Sequence, residues 1–207
     1  MNARVMLLPG FPVRKPGSAA VEALLVSAGV VALAEIGDKT QLLALVLAAR
    51  FRAPLPVILG ILTATLSNHF VAGAVGTLLA AHVSPSIMRW ALALSFLAAA
   101  AWMFIPDSEP QADARPGRFG AYGTTVISFF LMEIGDKTQL ATVALAAKYQ
   151  ALIPVVAGTT LGMLIADVPV IFLGRAAANR LPLKLVNRIA AAAFVALAVL
   201  VLWSAPA

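Results

Sequence analysis

The heptapeptide Glu-Ile-Gly-Asp-Lys-Thr-Gln occurs twice in this chain, at residues 35–41 and 133–139, each time inside a long apolar stretch. Two carboxylates and an ammonium group are costly in hydrocarbon, at about 2.5–3.5 kcal/mol for each charge at a helix centre. A sequence keeps such groups there for function or for pairing. Two copies separated by 98 positions indicate two copies of one structural unit, whose polar groups meet at a shared site.

The spacing within the motif suggests how its charged groups are arranged. On a continuous helix, Glu35 would be three residues from Asp38 and four from Lys39, so the three groups would share one face. A glycine between them permits a close helix approach or a local break that frees backbone carbonyl oxygens. The remaining positions add neutral oxygen atoms and hydrogen-bond donors. The supporting residues of the two copies are Lys39, Thr40, Gln41, Lys137, Thr138 and Gln139.

The charge of the motifs points to a divalent metal ion. Each copy has a formal charge of −1, so two facing copies have a charge that one divalent cation neutralises. The chain contains no cysteine, and hard oxygen ligands suit Mn²⁺, Ca²⁺ or Mg²⁺ better than Zn²⁺ or Cu⁺. Four crowded carboxylates cannot all stay ionised after the metal leaves, so protons should replace it. The expected ligands are Glu35, Asp38, Glu133 and Asp136, and no resident cofactor is expected.

A structural interpretation of the same residues is also open. Glu35–Lys39 and Glu133–Lys137 could be ion pairs that hold a helix bundle together. That interpretation leaves the aspartate of each motif unexplained, and apolar replacements of buried ion pairs are often neutral or stabilising. The repetition of the whole motif therefore favours a functional site.

Composition defines the class of protein that carries these motifs. Hydrophobic residues make up 61% of the 207 positions and charged residues only 12%, against about 25% charged in soluble domains. The sequence therefore predicts an integral membrane protein, and the net charge of +6 is attributed to topology rather than to a nucleic-acid partner. Apolar segments long enough to cross a bilayer span residues 19–49, 54–81, 85–105, 119–147, 152–176 and 182–203.

The segments fall into two related halves. Residues 35–60 and 133–158 align without gaps and share 15 identities in 26 positions. Each half has three predicted crossings, an odd number, so the second half must enter the membrane from the opposite side. The predicted fold is all-α, with six transmembrane helices in two inverted-topology repeats of three. The divisions are a loose extension at 1–18, the first repeat at 19–105, a polar linker at 106–118 and the second repeat at 119–207.

Charges in the loops predict the orientation. Basic residues are fewer on the side of the two termini than on the side of the central linker, and basic loops favour the cytoplasm. The linker is therefore predicted to be cytoplasmic, with both termini outside. The terminal side carries Arg4, Arg14, Lys15, Arg89 and Lys148; the linker side carries Arg50, Arg52, Arg115, Arg118, Arg175, Arg180, Lys184 and Arg188.

Further polar residues lie at equivalent positions of the second and fifth segments. His69 and Asp167 are separated by the repeat offset of 98, and Asn68 is adjacent to the first of them. An acidic residue at mid-membrane predicts a proton carrier or an additional metal ligand. The alternative is an Asp or a neutral His that is hydrogen-bonded between helices.

Two other patterns concern packing and anchoring. The spacing of Gly158 and Gly162 is that of a close helix contact. Trp90, Trp102 and Trp203 lie near segment ends and are interpreted as anchors at the membrane surface.

With these motifs, residues 19–203 resemble a known family. Glu-x-Gly-Asp-Lys-Thr/Ser, once in each half of a six-helix protein, is similar to the signature of the GDT-one family of cation/proton exchangers, which includes Golgi and chloroplast manganese/calcium transporters and bacterial manganese exporters. The resemblance implies that the four motif carboxylates bind the ion. It further implies export of Mn²⁺, and sometimes Ca²⁺, against incoming protons. The chain is near the family's minimal form, which indicates a bacterial inner (plasma) membrane.

Two other functional classes remain open at this level. A divalent-cation channel would use the same carboxylates as a selectivity ring without proton coupling. An intramembrane enzyme is disfavoured, because the sequence contains no nucleophile-plus-base pattern and no cofactor motif. The sequence makes no prediction of oligomeric state.

Overall fold

A computed structural model describes residues 16–105, 119–173 and 183–203, and all regular structure in these ranges is helical. The predicted linker at 106–118 and most of the predicted N-terminal extension lie outside the described residues. In chain order the helices are α1 (Pro16–Glu35), α2 (Lys39–Phe51), α3 (Pro54–His82), α4 (Pro85–Trp102), α5 (Gly120–Glu133), α6 (Lys137–Tyr149), α7 (Leu152–Leu173) and α8 (Leu183–Trp203).

The first and fourth apolar segments are each divided into two helices. The division falls within the heptapeptide both times, between α1 and α2 and between α5 and α6. Gly37 has φ 85° and Gly135 has φ 77°, a left-handed conformation that glycine adopts without the Cβ clash of other residues. The motif therefore does not lie on one continuous helix. The prediction that its three charged groups share one face of a continuous helix is wrong. The other possibility, a local break at the glycine, is what the structure shows.

Five of the described helices, α1, α3, α4, α7 and α8, are long and apolar enough to cross a membrane. Helices α5 and α6 have only 14 and 13 residues, fewer than the roughly 20 that one crossing requires. The chain is a multi-pass membrane protein, and its described residues are all-helical wherever they form regular structure. Proline at the first position of α3 and α4 begins these helices without the loss of a backbone hydrogen bond.

The closest helix contacts join the two halves and repeat at the sequence offset. Helix α1 packs most extensively against α7, and α5 packs against α3. A Cβ atom added to Gly158 would lie against the Leu24 carbonyl oxygen and 2.9 Å from Ser27 Cβ. Gly60, 98 positions earlier, would meet Cβ of Thr125 at 2.6 Å, and Thr125 is 98 positions after Ser27. The internal repeat is thus a repeat of packing as well as of sequence.

Gly162→Val is expected to destabilise the fold by about 1–3 kcal/mol, because overpacking forces shifts in a filled contact. A Cβ at Gly162 would lie 2.9 Å from the Ala32 nitrogen and 3.0 Å from Val31 Cβ, both in α1. The measurement is the free energy of unfolding in mixed micelles. Gly29→Val is the matched control, since a Cβ at Gly29 meets nothing within 4 Å. Equal stability of the two variants would contradict close α1–α7 packing.

Helices α4 and α8 pack against each other. Phe96 and Phe194 stack between them with ring centroids 6.4 Å apart. The same apolar cluster includes Leu145 of α6, whereas Leu43 of α2 belongs to a separate cluster with residues of α3, α5 and α7. The second helices of the two broken segments, α2 and α6, are therefore packed differently, although their sequences are similar.

Candidate functional site

Reciprocal ion pairs join the two copies of the motif. Asp38 and Asp136 occupy the N-cap positions of α2 and α6, yet neither carboxylate makes a capping hydrogen bond. Lys39 Nζ instead donates to Asp136 Oδ1 at 2.7 Å, and Lys137 Nζ donates to Asp38 Oδ1. Each pair takes its acid from one half of the chain and its base from the other. The two motifs therefore contact each other directly.

The glutamates of the motif are buried, and only one of the two carboxylate oxygens of each accepts a hydrogen bond from the described residues. Thr40 Oγ1 donates to Glu35 Oε2 at 2.7 Å, and Thr138 Oγ1 donates to Glu133 Oε2 at 3.1 Å. The Oε1 atom of each glutamate has no hydrogen-bond partner within the described part of the chain. Buried polar atoms are nearly always paired, so an unpaired carboxylate oxygen marks a position suited to a cation or a proton.

Three of the four predicted ligands gather around one point. Glu35, Asp38 and Asp136 each offer an oxygen atom, and these atoms all lie within 4.8 Å of one another. Ca²⁺ binds oxygen at about 2.3–2.6 Å, so two oxygens on opposite sides of one ion can be about 5 Å apart. Asp136 Oδ2 has no hydrogen-bond partner among the described residues. Glu133 is buried but lies outside this group of three.

The glutamine of each motif holds the helix break. Gln41 Oε1 accepts from the Gly37 N–H at 3.0 Å, and Gln139 Oε1 accepts from the Gly135 N–H at 2.7 Å. Gln41 Nε2 also donates to the Ala166 carbonyl of α7 at 2.8 Å. Sequence reasoning placed these glutamines among the supporting polar groups. The structure gives them the specific task of fixing the turn that carries the acids.

The charges at the site are strongly unbalanced. Four carboxylates face two ammonium groups, which leaves a formal charge of −2 when all are ionised. All four carboxylates and Lys137 are buried, and Lys39 is the most exposed member of the group. Charges in a low-dielectric environment interact far more strongly than in water. The arrangement is therefore suited to a divalent cation.

The secondary candidates fall into two kinds. Asn68 Nδ2 donates to the Phe130 carbonyl of α5 at 3.0 Å, which is a helix-to-helix contact. His69 and Asp167 are both fully buried. Neither the ring nitrogens of His69 nor the carboxylate oxygens of Asp167 have a hydrogen-bond partner in the described residues. The backbone carbonyl of Ala166 in α7 accepts a hydrogen bond from Gln41, which lies just after the first helix break. Asp167 is the next residue of α7 and therefore lies near the site.

A cavity of about 440 Å³ borders the site at Asp136. Its polar lining comes from Gly135, Asp136 and Gln139, and its apolar lining includes Val75 of α3 and Trp102 of α4. Trp102 was assigned only an anchoring role by sequence reasoning. Its place on this wall follows from the tertiary packing of α4, which the sequence does not display.

Helices interrupted at mid-length, with acids at the breaks where two repeats meet, are typical of secondary transporters. The fold and the site are those expected of a membrane transporter of cations. The chain belongs to the GDT1 family, since the family model "Divalent cation/proton antiporter GDT1" matches residues 23–111 and 121–207.

A bacterial relative agrees with this assignment. A protein of Vibrio cholerae serotype O1 (strain ATCC 39541 / Classical Ogawa 395 / O395), named "Putative manganese exporter", is 46% identical over 184 residues. The match covers 88% of this chain and 92% of the relative. No solved structure matches the chain.

Proposed function

We propose that the protein exports Mn²⁺ from the cytoplasm in exchange for protons. The observation that carries the proposal is the group of three oxygens from Glu35, Asp38 and Asp136 within 4.8 Å. These hard, anionic ligands suit Mn²⁺, Ca²⁺ and Mg²⁺. The name of the Vibrio cholerae relative favours Mn²⁺ among them, with Ca²⁺ as the second substrate.

The reciprocal lysines supply a means of exchange. Lys39 and Lys137 each hold an aspartate that the incoming metal needs as a ligand. Entry of a divalent cation displaces the ammonium groups from these carboxylates, because the metal binds the same oxygens. When the metal leaves, the lysines return and protons neutralise the remaining carboxylates. Metal and protons thus occupy the site in alternation.

The two halves provide the two gates. Six crossings result if α1 with α2, and α5 with α6, each count as one broken transmembrane segment. Placed in line, the 27 residues of α5 and α6 would extend about 40 Å, enough for a hydrocarbon core of about 30 Å. The different packing of α2 and α6 supports a mechanism in which the repeats exchange roles and open the site to each side in turn.

Direction follows from the proton gradient. In a bacterial inner membrane the gradient points inward, so an obligatory exchange drives the cation outward. The basic loops favour a cytoplasmic central linker and external termini. The protein then protects the cell from excess metal.

The test is Mn²⁺ flux in proteoliposomes of the full chain with an imposed pH gradient. We expect Mn²⁺ to move against the direction of proton movement and to stop when the gradient is collapsed. Ca²⁺, Mg²⁺ and Zn²⁺ supplied separately establish selectivity. Flux that continues unchanged without a pH gradient, with a current carried by the metal alone, would identify a channel instead.

Asp167→Asn is expected to reduce proton-coupled Mn²⁺ flux strongly, because the amide keeps the size of the side chain but cannot take up and release a proton as a carboxyl group can. His69→Gln, at the equivalent repeat position, is the comparison and is expected to have the smaller effect. Flux and the accompanying internal pH change are measured together in proteoliposomes. Wild-type values for both quantities in Asp167→Asn would exclude Asp167 from the proton path.

A further inference from the structure

A second cavity lies away from the motifs, at one end of the helix bundle. Its volume is about 420 Å³, within the range of small-molecule sites. The ends of α3, α6 and α8 and the beginning of α4 form its walls, and no residue of either heptapeptide lines it. It is therefore independent of the candidate cation site.

Two basic side chains converge on this cavity. Arg89 comes from the first turns of α4 and Lys148 from the last turn of α6. Among the described residues, no acidic side chain lines the cavity, and neither cation forms an ion pair. Arg89 Nε is buried and has no hydrogen-bond partner in that same part of the chain. Two like charges in one pocket repel, and a bound anion would offset that repulsion.

The known contacts of the two cations do not satisfy their N–H groups. Arg89 Cζ lies 5.9 Å from the ring centroid of Trp90, and Lys148 Nζ lies 5.0 Å from that of Tyr149. Such contacts with a ring face contribute modestly at exposed positions and leave N–H donors available. The cavity consequently offers several donors to an anionic oxygen.

Apart from Gln150, the rest of the lining is apolar, which suits a ligand with a hydrocarbon part. Met88, Leu92 and Val201 line the cavity beside the two cations. Trp90 and Trp203 are 54% and 85% exposed at the same end of the bundle, as expected of tryptophans at the headgroup level of a bilayer. A cavity with two cations beside an apolar wall, at the depth of the lipid headgroups, suits a lipid better than a free ion.

We propose that this cavity binds one anionic phospholipid. Its phosphate lies between Arg89 and Lys148, where the planar guanidinium and the ammonium both donate to phosphate oxygens. Its acyl chain lies along Met88, Leu92 and Val201. On the matrix or cytoplasmic side of membranes, basic pockets between transmembrane helices bind anionic headgroups in a comparable way. The bound lipid bridges α4, α6 and α8 and holds the end of α6 against the α4–α8 pair.

The experiment measures lipid binding to the purified full chain by native mass spectrometry, with phosphatidylglycerol and phosphatidylcholine of identical acyl chains. Phosphatidylcholine has the same phosphate with a compensating choline cation, so the comparison isolates net charge. We expect a preference of about tenfold or more for one phosphatidylglycerol molecule, since two cations face the headgroup. Equal retention of the two lipids by the wild-type protein would overturn the proposal without any variant.

Matched variants locate the binding. Arg89→Gln with Lys148→Gln is expected to remove the preference, and the charge-retaining pair Arg89→Lys with Lys148→Arg to keep most of it. The control is Lys184→Gln with Arg188→Gln, which makes the same charge change on exposed residues in the first turns of α8. An equal loss in the control would show general surface attraction and overturn the site.

A competition arm separates lipid from free phosphate. Inorganic phosphate and glycerophosphoglycerol, the headgroup without acyl chains, are added at the concentration of the lipid. We expect neither to displace phosphatidylglycerol, because both lack the chain that contacts the apolar wall. Displacement by either compound at equal concentration would identify a site for a soluble phosphate and overturn the assignment to lipid.

Discussion

Glu35→Gln and Glu133→Gln are each expected to reduce Mn²⁺ flux in proteoliposomes to the level of protein-free vesicles. Glutamine keeps the side-chain shape and can still accept a hydrogen bond from the neighbouring threonine. It lacks the negatively charged oxygen that a divalent ion needs as a ligand. Both glutamates have one carboxylate oxygen without a hydrogen-bond partner in the described chain, which is the atom we assign to metal or proton.

The control for this prediction is Glu22→Gln, which changes a carboxylate of the same helix α1 outside the site. It is expected to retain wild-type flux. Membrane yield and unfolding of all three variants are compared to separate loss of transport from loss of fold. Wild-type flux in both Glu35→Gln and Glu133→Gln would show that these glutamates have a structural role and do not bind the transported ion. Loss in Glu35→Gln alone would restrict the site to the group of three oxygens.

Lys137→Met is expected to destabilise the folded protein by about 3–5 kcal/mol, the usual result of removing one partner of a buried ion pair. The side chain of Lys137 is 4% exposed, so water cannot replace the ammonium group beside Asp38. Lys39 is 22% exposed, and water can partly take its place beside Asp136. Lys39→Met should therefore cost less. The measurement is the free energy of unfolding in mixed micelles.

Asp38→Asn combined with Lys137→Met tests the same pair from both sides. Removing both charges abolishes the unpaired carboxylate, so most of the lost stability should return. Transport should stay absent, because Asp38 is one of the three assigned ligands. A double variant no more stable than Lys137→Met would show that the two side chains are not coupled.

The contact between the heptapeptides was predictable, because two copies of a charged motif in apolar surroundings are expected to share one polar site. The Gly158–Gly162 contact followed from small residues at helical spacing, and α1 lies against it. The partner of each lysine was not predictable. Lys39 has Glu35 four residues away and binds Asp136 instead, because the helix breaks at Gly37 and turns the lysine toward the other half.

The choice between a break and a continuous helix could not be made from sequence either. A glycine tolerates both conformations, and the deciding interactions are contacts of Gln41 with the Gly37 N–H and with α7. The metal-binding role of the acids, the proton role of Asp167 and the six-crossing topology remain predictions. Each follows from charge, burial or repeat symmetry, and the experiments above address them.

The reciprocity of the two ion pairs constrains how this chain can evolve. Asp38 depends on a lysine of the second half, and Asp136 depends on a lysine of the first. A half-length ancestor inserted in both orientations could have formed both pairs with a second copy of itself. After fusion, a change of charge at position 38 removes the carboxylate that Lys137 binds, and a change at position 136 does the same for Lys39. These four positions are therefore expected to stay unchanged while the residues around them diverge between the two halves.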